Sequence, residues 1–286
     1  MIWRLVSGIV ALLPWRALRV PGALLGWLVG AVLRIRRRHA SESMRRAAIA
    51  DRPGQLRAMY ESLGTLVFEL LWTAGRPSQD LSEFFEQDEE QWRAVQRALS
   101  HGRGLVVVTA HTGNWDLLAC AMAQRVPLMV VTRHLSWRSL DRFWQRMRAH
   151  RGVLLVDPQG AVQRASAHLR AGGVVAFLID QRPLRERATI EAPFLGAQAR
   201  HEAAFADIAA RCRAPVVVAL AERCAGGRHR LVVPMMLPAP QRPSRAWVRQ
   251  VVLEASGKLE AFVRQRPAQW LWLHRRWGAG GASADG

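Results

Sequence analysis

From residue 102 onward, short apolar runs alternate with longer segments of helical spacing. The runs are rich in Val and Leu and occupy 104–110, 127–132, 152–157, 173–180, 215–221 and 230–236. The helical segments between them cover 115–125, 137–150, 159–171 and 200–213. Near-continuous apolar strands separated by helices are typical of a sheet with both faces covered. The pattern therefore predicts an α/β fold with a mostly parallel sheet flanked by helices.

The N-terminal segment has a different pattern. Residues 2–33 are strongly apolar, but Pro14 and Pro21 divide them into pieces too short for one straight membrane span. The basic run 34–39 follows directly, and basic residues beside an apolar segment are typical of the cytoplasmic side of a membrane. We therefore expect residues 1–39 to form a membrane anchor, either a kinked helix or a helical hairpin. An ordinary buried helix pair is the alternative.

The rest of the chain completes one large domain. Helical spacing is found over 41–75, with a break at Pro53–Gly54, and again over 89–99 and 244–266. The pattern shows no second domain boundary. We therefore predict an α/β domain over 40–280 and a flexible tail over 281–286.

Composition narrows the set of partners. The chain carries a formal net charge of +19, and Lys258 is its only lysine. Such a charge attracts nucleic acid, anionic lipid or an acidic protein. Tryptophan outnumbers tyrosine by 12 to 1, which suits a membrane interface, although buried tryptophans are the simpler explanation. Three widely spaced cysteines argue against a disulfide framework.

The segment from His111 to Asp116, with the sequence HTGNWD, carries the strongest chemical signal. It follows an apolar strand, and ligands of open α/β sheets bind beyond the carboxyl ends of strands. Asp116 can turn back to hold one imidazole nitrogen, which leaves the other free to accept a proton. Gly113 permits a tight turn, and Asn114 can cap the next helix. A capping segment with an incidental histidine is the alternative.

Several enzyme classes lack their signatures in this sequence. There is no G-x-S-x-G elbow, no G-x-x-x-x-G-K-[ST] loop, no H-E-x-x-H pair and no G-x-G-x-x-G turn. A serine hydrolase of the α/β type, a P-loop nucleotide site, a zinc protease and a dinucleotide site are therefore not supported. We expect neither a metal nor a cofactor.

Four motifs in order carry a resemblance to a known family. HTGNWD resembles the H-x4-[DE] motif of glycerolipid acyltransferases, in the form found in the late lipid A (lauroyl and myristoyl) acyltransferases. The Asp180-Gln181 pair, the Pro-Phe-x-Gly segment 193–196, and the tryptophan-rich segment 267–277 are similar to further motifs of that branch. Together with the N-terminal anchor, the resemblance covers nearly the whole chain.

The resemblance implies a function and a set of site residues. A fatty acyl chain would pass from a thioester of acyl carrier protein or coenzyme A to a hydroxyl of a lipid acceptor, at the cytoplasmic face of the bacterial inner membrane. His111 would be the general base and Asp116 would stabilise its imidazolium form. The expected substrate-binding or oxyanion residues are Gly113, Asn114, Arg133, Asp180, Gln181 and Arg182. Asp180 is expected to hold Arg133, and Arg185 and Arg187 could meet an acidic carrier or lipid.

One segment departs from the family pattern. Members carry a Thr and then a Gly after the Pro-Phe-x-Gly loop, whereas residues 197–202 here read AQARHE. Because this segment is expected to border the substrate groove, the acceptor can be a lysolipid or glycolipid other than a lipid A precursor. The charge alone suggests a nucleic-acid-binding protein, although no recognition motif supports it. Without such a motif, we expect no nucleic acid as a partner. A non-catalytic membrane scaffold is a further alternative.

Overall fold

A computed structural model describes residues 2–86, 89–100, 102–132, 134–183 and 189–277. Within them, six strands form a sheet in the order β3-β2-β4-β1-β7-β8, and two more form a hairpin. Parallel pairing joins the first five strands of that order, and only β7 and β8 are antiparallel. The sheet strands are β1 (Leu105–Thr109), β2 (Leu128–Val131), β3 (Leu154–Val156), β4 (Val174–Leu178), β7 (Val216–Arg223) and β8 (His229–Leu237).

Helices surround this sheet, as the alternating pattern predicted. Their bounds are α1 (Ile2–Val10), α2 (Arg19–Trp27), α3 (Arg37–Arg46), α4 (Arg52–Gly75), α5 (Glu89–Leu99), α6 (Trp115–Ala123), α7 (Arg138–His150), α8 (Ala161–Arg170), α9 (Ala204–Cys212) and α10 (Arg245–Gln265). Pro53 lies in the first turn of α4, where its missing N–H costs nothing. The break predicted at Pro53–Gly54 therefore lies a few residues earlier, between α3 and α4.

The sheet is buried on both faces. Strand β1 is central, and its residues from Leu105 to Val108 are almost completely buried. Two apolar clusters meet at the sheet, one on each face, because side chains alternate between the faces along a strand: Val106 and Val108 belong to one, Leu105 and Val107 to the other. The apolar runs in the sequence thus form strands that are covered on both faces of the sheet, as their composition predicted.

The segment 189–202 forms a hairpin that the sequence pattern did not predict. Strand β5 (Thr189–Phe194) pairs antiparallel with β6 (Ala197–Glu202). Leu195 and Gly196 form the turn, and both have positive φ, as the twist of a two-residue hairpin turn favours. The expected helix over 200–213 therefore begins only at Ala204. Residues 197–202 pair with β5, but their sequence AQARHE has none of the β-branched or aromatic residues that favour a strand, so the pattern did not indicate one.

The N-terminal segment is bent and packs on the domain. Helices α1 and α2, the latter prolonged by a wider helical turn over 28–32, meet at a bend of 120°. Among the described residues, neither is by itself long and apolar enough to cross a membrane, whereas the bent pair taken together meets the length and composition expected of a broken span. Both helices contact α4, and Val10 and Leu18 are buried against Leu71 and Trp72. One side of the N-terminal segment thus packs against the rest of the domain through α4.

The other side of the bent pair carries exposed apolar side chains. On α1, Ile2, Leu5 and Ile9 recur at helical spacing and are each more than half exposed. Val20, Leu24 and Trp27 are similarly exposed on α2. Trp137, which is also exposed, extends the surface by contacting the Trp3 ring at 5.3 Å between centroids. We call this the apolar face. A group of exposed apolar side chains of this size is typical of a membrane or protein interaction site.

Candidate active site

Two neighbouring strands bring His111 and Asp180 together. Thr109 of β1 pairs with Leu178 of β4, and each of the two functional residues lies two positions beyond its paired residue. Because parallel strands end at the same edge of a sheet, this register places both side chains side by side. Sheet pairing thus brings together two residues that are remote from each other along the chain.

The Asp180 carboxylate holds the imidazole of His111. His111 Nδ1 lies 2.9 Å from Asp180 Oδ1, and the backbone N–H of His111 donates to Oδ2 at 3.1 Å. A third donor, Trp270 Nε1, reaches Oδ2 at 2.9 Å. Because a carboxylate only accepts hydrogen bonds, Nδ1 carries the proton, and the neutral ring then has its lone pair on Nε2.

The electrostatics of the pair keep Asp180 ionised. Its side chain is only 1% exposed. Burial by itself raises the pKa of Asp180, but the charge and hydrogen bonds of His111, together with the Trp270 N–H, outweigh burial and lower the pKa to about 2. A fixed negative charge therefore lies beside His111 throughout the neutral range, where it stabilises the protonated ring.

Gln181 and His274 also lie beside the His111 ring. The Gln181 side-chain Nε2 is 3.2 Å from His111 Nε2, 3.5 Å from His111 Nδ1 and 2.7 Å from His274 Nε2. The His111 side chain is 15% exposed, and Trp115 packs edge-on against the ring at 4.8 Å between centroids. The amide nitrogen is thus nearly equidistant from the two ring nitrogens and lies off the axis of the Nε2 lone pair, and the ring as a whole keeps a small exposed fraction.

Asp116 has a different environment from the one that we predicted. Arg148 of α7 donates to Asp116 Oδ1 at 2.7 Å, and Trp144 Nε1 donates to Oδ2 at 2.9 Å. Helix α6 begins at Trp115, and its first turn directs the Asp116 side chain toward α7 rather than back toward the histidine. The expectation that Asp116 orients His111 is thus corrected: Asp180 makes that contact, and Asp116 ties two helices together.

Gly113 and Asn114 shape the loop between β1 and α6. Gly113 has a positive φ, and a Cβ atom there would lie 2.6 Å from the carbonyl oxygen of Ala221. Its N–H donates to the Gln269 carbonyl at 2.9 Å, so this N–H is not available to an oxyanion as we had expected. Asn114 Oδ1 accepts from Leu117 N–H at 3.0 Å, which confirms the predicted helix cap.

The side chain of Asn114 contacts a buried ion pair. The Asn114 amide donates to Glu69 Oε2 at 2.8 Å, and the same carboxylate pairs with the Arg223 guanidinium. Burial raises the pKa of Glu69, but the charges of Arg223 and the adjacent His229 outweigh it, so this pKa lies well below its usual range. Asn114 is therefore buried and hydrogen-bonded on both sides of its amide, so it fixes the loop.

The C-terminal segment closes the site. Leu271 N–H donates to the His111 carbonyl at 3.1 Å, and the Gln269 side chain bonds both the N–H and the carbonyl of Arg223. The segment's own tryptophan rings, those of Trp270, Trp272 and Trp277, are buried in the protein. The sequence motifs marked this segment as part of the family pattern but gave no role to Gln269, Trp270 or His274. Only the fold shows that they contact the histidine loop.

The predicted arginines are partly outside the described structure. Arg182 is exposed two residues beyond Asp180. Arg133, Arg185 and Arg187 lie outside the described residues, so the predictions for these three stay predictions. The carboxylate of Asp180 bonds His111 and Trp270, and its predicted contact with Arg133 stays a prediction.

Comparison with known proteins gives the family. The profile of the bacterial lipid A biosynthesis acyltransferases matches residues 2–279, essentially the whole chain. No individual curated protein gives a significant match. The family implies an acyl donor and a lipid acceptor as substrates. The motifs that carried the resemblance all lie within the matched region, and the chain therefore belongs to the bacterial lipid A biosynthesis acyltransferases and is an acyltransferase.

Proposed function

We propose that this chain is a membrane-associated O-acyltransferase in which His111, oriented by Asp180, is the general base. The acyl group moves from a thioester of acyl carrier protein or coenzyme A to a hydroxyl of a lipid A precursor or a related glycolipid. The observation that carries the proposal is the 2.9 Å contact of His111 Nδ1 with Asp180, which fixes the proton on Nδ1 and leaves Nε2 with the lone pair of a base.

The chemistry follows from this arrangement. The lipid hydroxyl approaches Nε2 and gives its proton to His111 as the oxygen attacks the thioester carbonyl. Asp180 stabilises the imidazolium that forms. The tetrahedral intermediate collapses with cleavage of the C–S bond, and the proton on His111 passes to the departing thiolate. A positioned base of this kind contributes roughly 10²–10⁴-fold to the rate.

The oxyanion needs hydrogen-bond donors that are already in place. Gln181 is suited to this role because its amide nitrogen already faces the ring that activates the hydroxyl. His274 holds the same nitrogen at 2.7 Å and so limits the positions that the amide can adopt. Arg133 is proposed as a further donor, and Arg182 as a contact for the anionic carrier or lipid.

The location of the enzyme follows from its surface. The apolar face and the adjacent basic run support attachment to an anionic membrane surface through the bent α1–α2 pair. Acyl carrier protein and coenzyme A are cytoplasmic, so the cytoplasmic face of the inner membrane is the expected site of reaction. The acidic surface of acyl carrier protein complements a chain with a net charge of +19.

Removal of the base tests the proposal. A His111→Ala variant should fold as the wild type does and release carrier thiol at least roughly 10²-fold more slowly when lipid acceptor is present. The control is His150→Ala, which removes an exposed imidazole from the last turn of α7. Wild-type turnover by His111→Ala would overturn the assignment. Mass spectrometry of total lipids with and without the gene then identifies the acceptor as the species that differs by one acyl chain.

A further inference from the structure

An open cavity of about 1050 Å³ lies where the basic run after the N-terminal segment meets the start of α4. Its lining includes one carboxylate, Glu42, which is 2.8 Å from an arginine. Six arginines line the same cavity: Arg34, Arg36, Arg37, Arg38, Arg45 and Arg52. We call this the arginine cavity. Its volume is of the order of the cavities that hold small molecules, and its charge favours an anion of more than one negative charge.

The backbone presents these arginines in an unusual turn. Arg34 and Arg36 both have positive φ, in the left-handed region that residues other than glycine rarely adopt. Strained backbone of this kind concentrates at ligand sites, where the surrounding structure maintains it. Arg37 also begins helix α3, whose N-terminal end carries partial positive charge and has no side-chain cap.

Several of the guanidinium groups are anchored. Arg36 Nη1 donates to the Leu273 carbonyl at 2.9 Å, and Arg37 Nη1 donates to the Gly30 carbonyl at 2.9 Å. A guanidinium has five N–H donors, so one anchoring bond fixes its direction and leaves donors for a ligand. Arginine forks match the geometry of phosphate oxygens, so an anchored set of this kind is suited to phosphate.

The arginine cavity is linked to the reaction centre. Arg36 contacts Leu273, and His39 Nε2 donates to the carbonyl of the next residue, His274, at 2.8 Å. The His274 ring lies 5.6 Å from the His111 ring between centroids. Residues 273–274 therefore contact both the basic run that lines the cavity and the ring of His111.

The rim of the cavity is apolar on the side of the N-terminal segment. Ala31 lines it, and the neighbouring Val32, Leu33 and Ile35 are about half exposed. A molecule with phosphate in the cavity would thus lay an apolar portion along these side chains. This combination is the chemistry of a phosphorylated amphiphile.

We propose that the arginine cavity binds the phosphate of the lipid acceptor. The inference rests on the proposed acyl transfer, but it concerns binding and can be tested without turnover. The shared chemistry is phosphate, and the donor side, through the phosphates of coenzyme A or of a carrier arm, is the other source that an experiment must separate.

The test measures binding to protein that carries His111→Ala, so that no acyl transfer occurs. The probes are short-chain (dihexanoyl) phosphatidic acid, the matched zwitterionic phosphatidylcholine, and coenzyme A, each titrated calorimetrically in the same neutral detergent. The variant pair is Arg38→Gln with Arg52→Gln, both exposed at the cavity. Arg164→Gln with Arg170→Gln, exposed on α8, is the control with the same change of charge.

We expect phosphatidic acid to bind the parent and the α8 control equally, and the cavity variant at least about tenfold more weakly, because charge-assisted hydrogen bonds are lost. Phosphatidylcholine should bind all three proteins weakly. Equal affinity of phosphatidic acid for all three overturns the proposal. Selective loss of coenzyme A binding by the cavity variant would also overturn it, since the cavity would then serve the donor. Failure of the acyl-transfer mechanism would leave these binding results unchanged.

Discussion

At the scale of single residues, the identity of the carboxylate beside the base decides the mechanism. Asp116 lies in the same motif as His111, yet its oxygens bond Arg148 and Trp144. Asp180 is remote in sequence, yet its oxygens hold both the ring and the backbone N–H of His111. Proximity along the chain was therefore a poor guide, because a helix begins between His111 and Asp116 and turns the second side chain away.

Replacement of each carboxylate separates the two roles. Asp180→Asn should lower kcat by roughly 10²–10⁴-fold, because an amide can donate to Nδ1 and thereby move the ring proton onto Nε2. Asp116→Asn should mainly lower stability through the lost Arg148 contact, with a smaller effect on kcat per folded molecule. Thiol release and thermal unfolding measure the two effects. A stable Asp116→Asn enzyme with the larger loss of kcat would restore the sequence-based assignment.

His201 makes stability depend on pH. Burial first, and then the charge of Arg276, lower the pKa of His201 to about 4. Ser256 lies 2.7 Å from Nδ1, which accepts its hydrogen bond, and Nε2 faces the Ala192 carbonyl, so the folded protein holds the neutral ring. Because the unfolded chain binds this proton near pH 6.5, the stabilisation is complete above that pH and is lost as the pH falls toward 4.

The expected size of this effect is measurable. Between pH 7.5 and 5, His201 should account for a fall of about 2 kcal/mol in the free energy of unfolding. Denaturant unfolding of the wild type and of His201→Gln across this range isolates the effect, because all other titrating groups are shared. The gap between the two proteins should narrow as the pH falls. A constant gap would show that His201 does not titrate as the structure requires.

At the scale of elements, the sheet could be predicted and the hairpin could not. Each sheet strand is an apolar run bounded by turn residues, so its pattern is local. The β5–β6 hairpin contains Arg200 and Glu202 and depends on pairing across the turn at Leu195–Gly196. The family departure at 197–202 is therefore a paired strand, with His201 and Ala199 buried, rather than an open loop at a groove.

The crossing of α2 and α4 depends on glycine. A Cβ atom at Gly26 would lie 2.3 Å from the carbonyl oxygen of Tyr60, and one at Gly64 would lie 2.0 Å from that of Gly22. Gly22 and Gly26 lie one turn apart, so both are on the face where the backbones meet. The sequence showed these glycines inside an apolar segment but not which helix approached them.

Alanine substitution measures this close approach. Gly26→Ala should cost about 1–3 kcal/mol in the free energy of unfolding, because backbone atoms must separate to admit the methyl group. Gly8→Ala, on α1, is the matched control, since nothing lies within 4 Å of a Cβ there. That control should be neutral or stabilising by up to about 1 kcal/mol, as helix propensity dictates. Similar unfolding curves for the two variants would show that α2 does not contact α4 so closely.

At the scale of the whole molecule, the surface is divided into unlike regions. The apolar face lies on α1 and α2, and the arginine cavity includes Ala31, in the helical turn that prolongs α2. An apolar surface and a set of cationic side chains suit the two parts of an anionic amphiphile, its chain and its charged headgroup. The sequence indicated the apolar segment and the basic run separately, whereas the contacts of the basic run with residues 273–274 follow from the fold.

Membrane binding should therefore have an apolar part that salt does not remove. Val20→Gln with Leu24→Gln should strongly reduce flotation with vesicles that contain anionic lipid, because each side chain contributes about 1.5–3 kcal/mol when buried. Leu154→Gln with Val162→Gln, also exposed but off the apolar face, is the control.

In 1 M salt the Debye length shrinks to about 3 Å, so the contribution of the arginines to membrane binding fades while the wild type stays bound. Full release of the wild type by salt, with equal flotation of both variants, would show that charge alone holds the protein and that the apolar face serves another partner.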